Sequence, residues 1–413
     1  MGVLALAGLA VGVVLLWPTA VPNDLVLGDV DQRAVFGAEH VARAERFERF
    51  LYVLWALSQI ALLATLWVYA RKGVRFTRES AAGPIGTGML LGMLGLAIVW
   101  LVNLPFRIVG HWWALRYDLS DAGYVTWLLE DWTLLGAQFL SLSLALLVVM
   151  GLARRLGDNW WLPGAAVFVG IAALFTFVSP YIDYTTDPLR DEELIEAADV
   201  FERELGLPDV PTYVQEVSED TEQANAYAYG FGPTRRIVFW DTVLDDPFNP
   251  EEQQVVLAHE LAHHSQQHLT EGIGWFAIFA VPGAFVLMLA TKGRGGMAAP
   301  EAIPLALIVA AVFQLATAPA ANWVTRRMEA EADWKALEVT QDPEAVEGAM
   351  VGLSETSLGD PFPPAWVQIM LGTHPPLADR VGMARAWAAR RQRERNAIGP
   401  THVNGVYVVQ MTS

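Results

Sequence analysis

The chain has 413 residues, of which 54% are hydrophobic and only 17% are charged, and it contains no cysteine. This balance excludes an ordinary soluble enzyme and indicates an integral membrane protein with a sizeable soluble part. The lack of cysteine excludes disulfides and thiolate metal sites, and the net charge of −18 argues against a nucleic-acid partner.

Apolar stretches long enough to cross a bilayer predict about seven transmembrane helices. They lie at 2–21, 50–70, 85–106, 133–153, 161–181, 272–291 and 302–321. The first stretch lacks a basic n-region and a clear small-residue cleavage site, so a retained span is favoured over a signal peptide. Three polar residues near the end of the third span, Asn103, Arg107 and His111, are interpreted as marking the membrane interface rather than lining a cavity.

The stretch between the fifth and sixth spans has the pattern of a small soluble α+β segment. Asp187-Pro188 predicts the start of a helix, and Gly206 predicts its end. Strands are predicted near 211–217, 223–231 and 235–240. A small sheet is therefore expected before the next helix.

That next helix carries the central motif of the chain. It is predicted to begin at Asn249 as N-cap, with Pro250 at its first position. The sequence His259-Glu-Leu-Ala-His263 follows within it. Because positions i and i+4 share one helix face, the two histidines can bind one Zn²⁺, and Glu260 can act as general base toward a water held there. Such a short pattern also occurs by chance, and the alternative is a polar helix whose histidines contact solvent or a loop.

Two more histidines follow the motif closely. His264 is one residue out of phase with the ligand face, which predicts a neighbour of the ligands or a solvent-exposed group. His268 is also out of phase, and a surface position is expected for it. A metzincin site would require glycine at 266 and histidine at 269, and Gln266 and Leu269 exclude that subclass.

A third ligand is expected from the hairpin formed by the sixth and seventh spans. His263 lies nine residues before the sixth span and Glu329 lies eight residues after the seventh. If the helices continue, both groups sit ~12–14 Å beyond the same membrane face. Glu329 is therefore a candidate ligand, and Asp333 is placed to accept a hydrogen bond from a ligand imidazole. Glu331 lies on another face of this helix and is expected to be solvated.

Five ordered blocks of the sequence resemble the type I CAAX prenyl protease family, which includes the HtpX-like membrane proteases. The blocks are Asn225-Ala-Tyr-Ala-Tyr-Gly230, Arg235-Arg-Ile-Val-Phe-Trp-Asp241, the His259–His263 motif, Glu329-x-x-Ala-Asp333 and Thr373-His-Pro-Pro-Leu-x-x-Arg380. The resemblance covers roughly 180–385 and extends to the seven-span layout. It implies a mainly α, polytopic membrane protein with a zincin-like α+β metalloprotease domain.

The resemblance also implies an activity and its residues. The chain would be a zinc metalloendopeptidase with one Zn²⁺ per chain, held by His259, His263 and Glu329. Glu260 would be the catalytic glutamate. A water-filled chamber enclosed by the spans is a further feature of the family.

Three more positions match functional positions of the family. Asn225 matches an asparagine on an edge strand that pairs with the substrate backbone; from the residues alone, a turn at a strand end would be the interpretation. His374 and Arg380 match positions associated with transition-state stabilisation and substrate contact. Taken alone, the Thr-His-Pro-Pro sequence is only a turn that contains a histidine.

Four segments are expected along the chain. They are an N-terminal membrane domain with five spans (1–182), a soluble catalytic segment with the sheet and the His-Glu helix (183–271), a transmembrane hairpin (272–321), and a C-terminal catalytic segment with the glutamate ligand and the His-Pro-Pro motif (322–413). Basic residues near the span ends are almost balanced between the two faces, so they do not orient the chain. The resemblance implies a multi-pass cell-membrane protein whose catalytic face is cytoplasmic.

Two function classes follow from these patterns. The first is a membrane zinc protease that cleaves a peptide or membrane-protein substrate, in either membrane-protein quality control or peptide maturation. The second is a non-proteolytic receptor or transporter with a zinc or histidine site. The second predicts polar residues spread through several spans, whereas here they cluster outside spans six and seven. Besides the substrate, the lipid bilayer is an expected partner, and the sequence assigns no oligomeric state.

Overall fold

Long helices form most of the chain in the computed structural model, which describes residues 2–79, 82–182, 185–398, 402–403 and 406–407. The N-terminal helices are α1 (Gly2–Leu15), α2 (Gln32–Val35), α3 (Ala38–Lys72), α4 (Gly83–Arg116), α5 (Tyr124–Leu156) and α6 (Trp161–Ile182). The later helices are α7 (Glu192–Leu205), α8 (Pro250–Ser265), α9 (His268–Thr291), α10 (Ile303–Thr340), α11 (Pro343–Ser357), α12 (Ala365–Met370) and α13 (Leu377–Ile398).

Five helical stretches of the described residues are long and apolar enough to cross a membrane. They are Ala38–Phe76, Gly83–Arg116, Tyr124–Ile182, His268–Arg294 and Pro300–Thr340. The third stretch contains both α5 and α6, where the fourth and fifth spans were predicted. The first predicted span coincides with α1, which is only 14 residues long. The prediction of a mainly helical, polytopic membrane protein is confirmed, and the count of seven spans stays a prediction.

The polar residues of α4 connect this helix to α5 and to the loop before it. Arg107 forms an ion pair with the buried Asp131 of α5, which also accepts a hydrogen bond of 2.8 Å from Trp100 Nε1. His111 Nε2 lies 3.0 Å from the carbonyl oxygen of Ala122. Because these partners lie within the protein, the polar side chains connect helices rather than only marking an interface.

A four-stranded sheet lies next to α8. Its strands are β1 (Thr186–Pro188), β2 (Thr212–Gln215), β3 (Ala226–Tyr229) and β4 (Arg236–Trp240), in the order β1-β2-β4-β3. β2 and β4 are parallel, while the outer pairs are antiparallel. β3 is therefore an edge strand. Two further two-residue strands, β5 (His402–Val403) and β6 (Val406–Tyr407), pair with each other.

The sheet contributes one face to a core shared with α7 and α8. Ile237 and Phe239 of β4 are fully buried, as are Leu257 and Leu261 of α8. Ile237 and Phe239 are two residues apart and share one face of β4, while Leu257 and Leu261 are four residues apart and share one face of α8, so the two apolar faces pack together. This packing fixes the helix that carries the His-Glu motif against the sheet.

The predicted start of α7 is wrong by several residues. Asp187 and Pro188 belong to β1, which pairs with β2. The helix begins at Glu192 because the Asp191 carboxylate accepts a hydrogen bond of 2.9 Å from Leu194 N and so caps it. Its predicted end is confirmed, since Gly206 has the left-handed conformation with φ 67°.

The predicted N-terminus of α8 is confirmed in detail. Asn249 Oδ1 accepts a hydrogen bond from Glu252 N at 2.9 Å, and Glu252 Oε2 accepts one from Asn249 N at 3.1 Å. This reciprocal capping box satisfies two amide groups that the helix itself leaves unpaired. Pro250 occupies the first helical position, as expected.

The two helices that carry the site, α8 and α10, differ in how they join the neighbouring membrane spans. α10 is continuous for 38 residues and carries the acidic cluster beyond the seventh predicted span. By contrast, α8 does not continue into α9, because Gln267 takes the left-handed conformation with φ 59° and ψ 30°. The expectation of one continuous helix from the motif into the sixth span is therefore wrong.

The C-terminal helices pack together with the N-terminal segment that follows α1. A second core contains Phe36, Leu337, Val346 and Val381, all buried. The segment around residue 28 runs along α13, where Gly28 N donates a hydrogen bond of 2.9 Å to the carbonyl oxygen of Gly382. The N-terminal segment around residue 28 and helix α13 thus meet beside α10.

Candidate metal centre

Three donor atoms from α8 and α10 converge at one point. Nε2 of His259 lies 3.1 Å from Nε2 of His263 and 3.2 Å from Oε2 of Glu329. Nε2 of His263 lies 3.7 Å from the same oxygen. Among the described residues, these three form a group whose donor atoms could hold one metal ion.

The spacing of this triangle fits a divalent metal ion. With metal–ligand bonds of ~2.0–2.2 Å, the donors of a tetrahedral zinc site lie about 3.2–3.6 Å apart. Two imidazole nitrogens and one carboxylate oxygen also match the ligand types of catalytic sites, which use three protein ligands and leave one position open. The residues present therefore fit a metal centre of the kind that the motif predicted.

His259 is held from behind by a carboxylate. Its Nδ1 lies 2.9 Å from Oδ1 of Asp333, one turn beyond Glu329 on α10. Burial opposes protonation of this imidazole, but the carboxylates of Asp333 and Glu329 outweigh it and raise the pKa of His259 to about 10. The negative charge of these two carboxylates would likewise stabilise a metal cation bound at the centre.

Arg380 lies on the far side of Asp333. It donates two hydrogen bonds to that carboxylate and is itself buried. Burial lowers the pKa of Arg380, but the negative charge of Asp333 outweighs it, and the net shift is upward. The guanidinium therefore stays charged and fixes the carboxylate that holds His259.

His263 has a different neighbour, and here two predictions are wrong. His268 is buried rather than on the surface, and its Nδ1 lies 2.9 Å from Nδ1 of His263. Glu331 is buried rather than solvated, with Oε2 at 3.4 Å from Nε2 of His268. The expectation for His268 assumed a regular helix through residue 268, whereas that for Glu331 assumed that its face of α10 was solvated. The left-handed Gln267 turns the chain so that His268 faces back toward the motif.

His264 points away from the ligands toward the sheet. It is buried, and its Nε2 lies 3.0 Å from the carbonyl oxygen of Arg236 in β4. Burial lowers the pKa of His264 to about 4, so the imidazole is neutral at physiological pH. Its role is to connect α8 to β4.

His374 approaches the centre from the loop between α12 and α13. Its side chain is exposed, and Nε2 lies 3.2 Å from Oε2 of Glu329. Arg326 of α10 holds this loop, because its Nη1 donates hydrogen bonds of 2.6 Å to the carbonyl oxygens of Gln368 and Gly372. The same helix thus carries the glutamate ligand and anchors the loop of His374.

Two cavities meet at Glu260. The larger, of about 350 Å³, runs between β3 and α10 and reaches His259, His263 and His374. The smaller, of about 90 Å³, has a largely apolar wall formed by Val243, Val255, Val346, Met350 and Leu353. Asn225, Glu260 and His374 border both cavities. Arg380 borders the smaller one.

The edge strand β3 presents its free side to the larger cavity. Trp240 N donates a hydrogen bond of 2.9 Å to the carbonyl oxygen of Asn225. The pairing continues in the same register, from Ala226 opposite Phe239 to Tyr229 opposite Arg236. Because hydrogen-bonded pairs alternate in an antiparallel ladder, the amide and carbonyl groups of Ala226 and Ala228 point away from β4. These unpaired groups can accept another strand.

The structure brings together all of the candidate site residues from the sequence. The ligand set, Glu260, Asp333, Asn225, His374 and Arg380 surround one centre. Sequence reasoning missed that His268 and Glu331 are buried beside the centre. The concentration of four histidines in 259–268 was a signal, but the helix break that turns His268 inward was not visible in it.

Comparison with known proteins gives a consistent picture. The pattern of Peptidase family M48 matches residues 188–388. The "uncharacterized metalloprotease YhfN" of Bacillus subtilis is 28% identical over 86% of this chain and 82% of its own length. The "CAAX prenyl protease 1 homolog" of Caenorhabditis elegans is 28% identical over 56% of this chain and 60% of its own length. The human homolog is 24% identical over 54% of this chain and 56% of its own length.

A solved structure shares the fold. The crystal structure of S. mikatae Ste24p superposes with a TM-score of 0.72 and covers 92% of this chain and 96% of its own. At 16% sequence identity, this similarity concerns the fold alone.

Proposed function

Because the chain belongs to Peptidase family M48 and is a membrane metalloprotease, we propose that it is a zinc endopeptidase centred on His259, His263 and Glu329. One Zn²⁺ per chain occupies this triangle, and Glu260 is the catalytic acid and base. The observation that carries the proposal is the triangle of 3.1, 3.2 and 3.7 Å at the junction of two cavities. Because the similar proteins are metalloproteases, the family relationship argues against the receptor or transporter alternative.

The residues of the centre divide the hydrolysis between them. When bound, the zinc ion supplies Lewis acidity, which makes water a nucleophile near neutral pH and polarises the peptide carbonyl. Glu260 accepts a proton from the attacking water and then delivers it to the leaving amine. His374 donates a hydrogen bond to the oxyanion that develops on the carbonyl oxygen, a role suited to its exposed position beside Glu329.

The substrate binds as an added strand along β3. The outward amide and carbonyl groups of Ala226 and Ala228 pair with an extended peptide, and the side chain of Asn225 fixes its backbone near the metal. The small cavity beside Glu260 accepts one modest apolar side chain next to the scissile bond. This arrangement recognises the main chain strongly and side chains weakly, as a protease with several substrates requires.

The location of the site suggests where the substrates come from. Its ligand helix α10 extends directly from a candidate membrane span, so the centre lies close to the bilayer surface. We place the chain in the cell membrane with its catalytic face in the cytoplasm. Its role there is turnover of damaged membrane proteins or maturation of membrane-bound peptides.

A single substitution tests the activity. In Glu260→Gln the ligands are retained, so the purified protein should keep one zinc per chain while peptide cleavage falls about 10²–10⁴-fold. Glu251→Gln, at an exposed acid in the first turn of the same helix, should cleave like wild type. Cleavage by Glu260→Gln at the wild-type rate would refute the mechanism.

The same variant identifies the substrates. Wild type and Glu260→Gln are expressed in the native host, and the peptides in the membrane fraction are compared by mass spectrometry. Substrates accumulate uncut with the inactive variant and appear as fragments with wild type. If fragments are found from many unrelated membrane proteins, turnover is the role, whereas one or two defined precursors would indicate maturation.

A further inference from the structure

The break between α8 and α9 creates a contact that a regular helix forbids. Residues five apart on an α-helix lie about 140° apart around the axis and cannot face each other. With Gln267 in the left-handed conformation, Nδ1 of His268 comes to 2.9 Å from Nδ1 of His263. A non-glycine residue in this conformation is uncommon and costs free energy, so the surrounding packing must hold it.

The direction of this hydrogen bond follows from the ligand role of His263. An imidazole that binds a metal through Nε2 carries its remaining proton on Nδ1. His263 therefore donates to His268, whose Nδ1 must be the unprotonated nitrogen. The proton of His268 then sits on Nε2, which lies 3.4 Å from Oε2 of Glu331. In this row of hydrogen-bonded groups, from His263 through His268 to Glu331, each proton therefore has one possible position.

Glu331 is fixed at its other oxygen by the N-terminal segment. Ala20 N donates a hydrogen bond of 2.5 Å to Oε1 of Glu331. One turn earlier on α10, the Arg327 guanidinium donates to the carbonyl oxygen of Trp17. The segment 17–20 is thus attached to α10 at two points, and the buried carboxylate has a fixed orientation.

From this geometry we propose that His268 and Glu331 are positioning residues that orient the ring of His263 toward the metal. The row runs from the amide of Ala20 through the Glu331 carboxylate and the His268 imidazole to His263. It parallels the direct contact of Asp333 with His259, so that each ligand histidine has its own buried carboxylate. The proposal rests on the zinc centre proposed above. Hydrogen bonds of this kind to ligand histidines are worth about 10–100-fold in metal affinity.

Zinc affinity of the full chain, measured by competition with a chelator, tests the row. His268→Ala should weaken zinc binding by about 10–100-fold. In His268→Gln an amide oxygen can accept the proton of His263, so part of the affinity should return. Glu331→Gln keeps an acceptor for His268 but loses the charge, so we expect a smaller loss than for Glu331→Ala.

His264→Ala is the matched control. It also deletes a buried imidazole from the same region, but one that contacts β4 rather than a ligand. Thermal unfolding of the zinc-free proteins, measured in parallel, corrects for any general loss of structure. Equal losses of zinc affinity in His264→Ala and His268→Ala, or no loss in His268→Ala, would overturn the proposal.

A spectroscopic measurement examines the proton positions directly. In the zinc-loaded protein with labelled histidine, nitrogen NMR should show His268 protonated at Nε2 and His263 at Nδ1. A proton on Nδ1 of His268 would overturn the proposal. Failure of the zinc centre itself is distinguishable, because His263→Ala would then bind zinc as tightly as wild type.

Discussion

Arg380 and Asp333 form a buried, two-point ion pair directly behind a ligand of the metal centre. Nε of Arg380 lies 2.8 Å from Oδ2 of Asp333, and Nη2 lies 2.5 Å from Oδ1. The second of these oxygens is also 2.9 Å from Nδ1 of His259. The orientation of a ligand imidazole is therefore coupled to a cation on α13, 47 residues farther along the chain than Asp333.

Removing the cation of this pair should destabilise the protein strongly. In Arg380→Met the Asp333 carboxylate stays buried without its partner, which costs about 3–5 kcal/mol. The check is thermal unfolding of the zinc-free protein, together with kcat and KM for a peptide substrate. Arg385→Met is the control, because its pair with Glu347 is partly exposed and is worth about 1 kcal/mol or less.

The same experiment separates two roles for Arg380. A positioning role predicts lower stability and weaker zinc binding in Arg380→Met. If Arg380 instead contacts the substrate, as its sequence motif predicts, KM should rise while stability and zinc affinity stay near the wild-type values.

The free edge of β3 gives a prediction about substrate binding. Ala228→Pro removes an amide that points into the cleft but no hydrogen bond of the ladder with β4, and proline is tolerated at such edge positions. An unpaired substrate carbonyl costs about 1–3 kcal/mol, so kcat/KM should fall about 10–100-fold. Ala228→Ser, which keeps the amide, should retain activity. Equal activity of the two variants would show that the peptide binds elsewhere.

The sequence predicted those parts of the site that depend on local rules. The capping box of Asn249 and Glu252 and the i, i+4 spacing of His259 and His263 involve residues within one or two helix turns. Glu329 was predicted because a short loop joins two membrane spans. These features depend on the spacing of residues along the chain, so they can be predicted without knowledge of the tertiary packing.

The features that the sequence did not predict arise from tertiary contacts. Glutamine has no preference for the left-handed conformation, so nothing at Gln267 signals the break between α8 and α9. Without that break, nothing in the sequence places His268 in a buried position, and the burial of Glu331 also depends on contacts with His268 and with the segment at Ala20. Likewise, Asp187 and Pro188 resemble a helix start, yet pairing with β2 makes them a strand. Strand pairing across 27 residues is invisible to a local pattern.

Zinc should stabilise the folded protein through Glu329. A ligand that binds only the folded state adds about 2.7 kcal/mol at a concentration 100 times its Kd. A chelator should therefore abolish cleavage and lower the unfolding temperature, and added zinc should restore both. In Glu329→Ala the unfolding temperature should not respond to zinc, while Glu338→Gln, an exposed position on the same helix, should respond like wild type.

Asp241 gives a pH-dependent prediction away from the metal. Its carboxylate accepts hydrogen bonds from Val217 N at 2.9 Å and from Ser218 Oγ at 2.6 Å, which holds the loop before β3. Burial raises the pKa of Asp241, but these hydrogen bonds outweigh it and the net shift is downward. Because the folded pKa lies below the unfolded one, the bonds stabilise the protein above about pH 4 and are lost as the pH falls through the folded pKa.

Asp241→Asn should therefore unfold more easily than wild type at pH 7, by about 1–2 kcal/mol. The difference in unfolding temperature between the two proteins should shrink as the pH falls toward 3. Asp245→Asn, at an exposed neighbouring position, should match wild type at each pH. A difference that stays constant from pH 7 to pH 3 would contradict the assignment.

The left-handed Gln267 provides the last prediction, because its conformation places His268 against His263. Glycine adopts this conformation without the steric cost that a side chain adds, so Gln267→Gly should be as stable as wild type or more stable by up to about 1 kcal/mol. Its zinc affinity should be unchanged. Valine is branched at Cβ and strongly disfavours positive φ, so Gln267→Val should displace His268 and weaken zinc binding.

Comparison of the two Gln267 variants isolates the backbone from the side chain. Both lose the glutamine amide, so a contribution of that amide to zinc binding would lower the affinity equally in glycine and valine variants. A loss confined to Gln267→Val shows that the turn itself matters. The double variant Gln267→Val with His268→Ala should then bind zinc no more weakly than His268→Ala alone, because both changes remove the same contact.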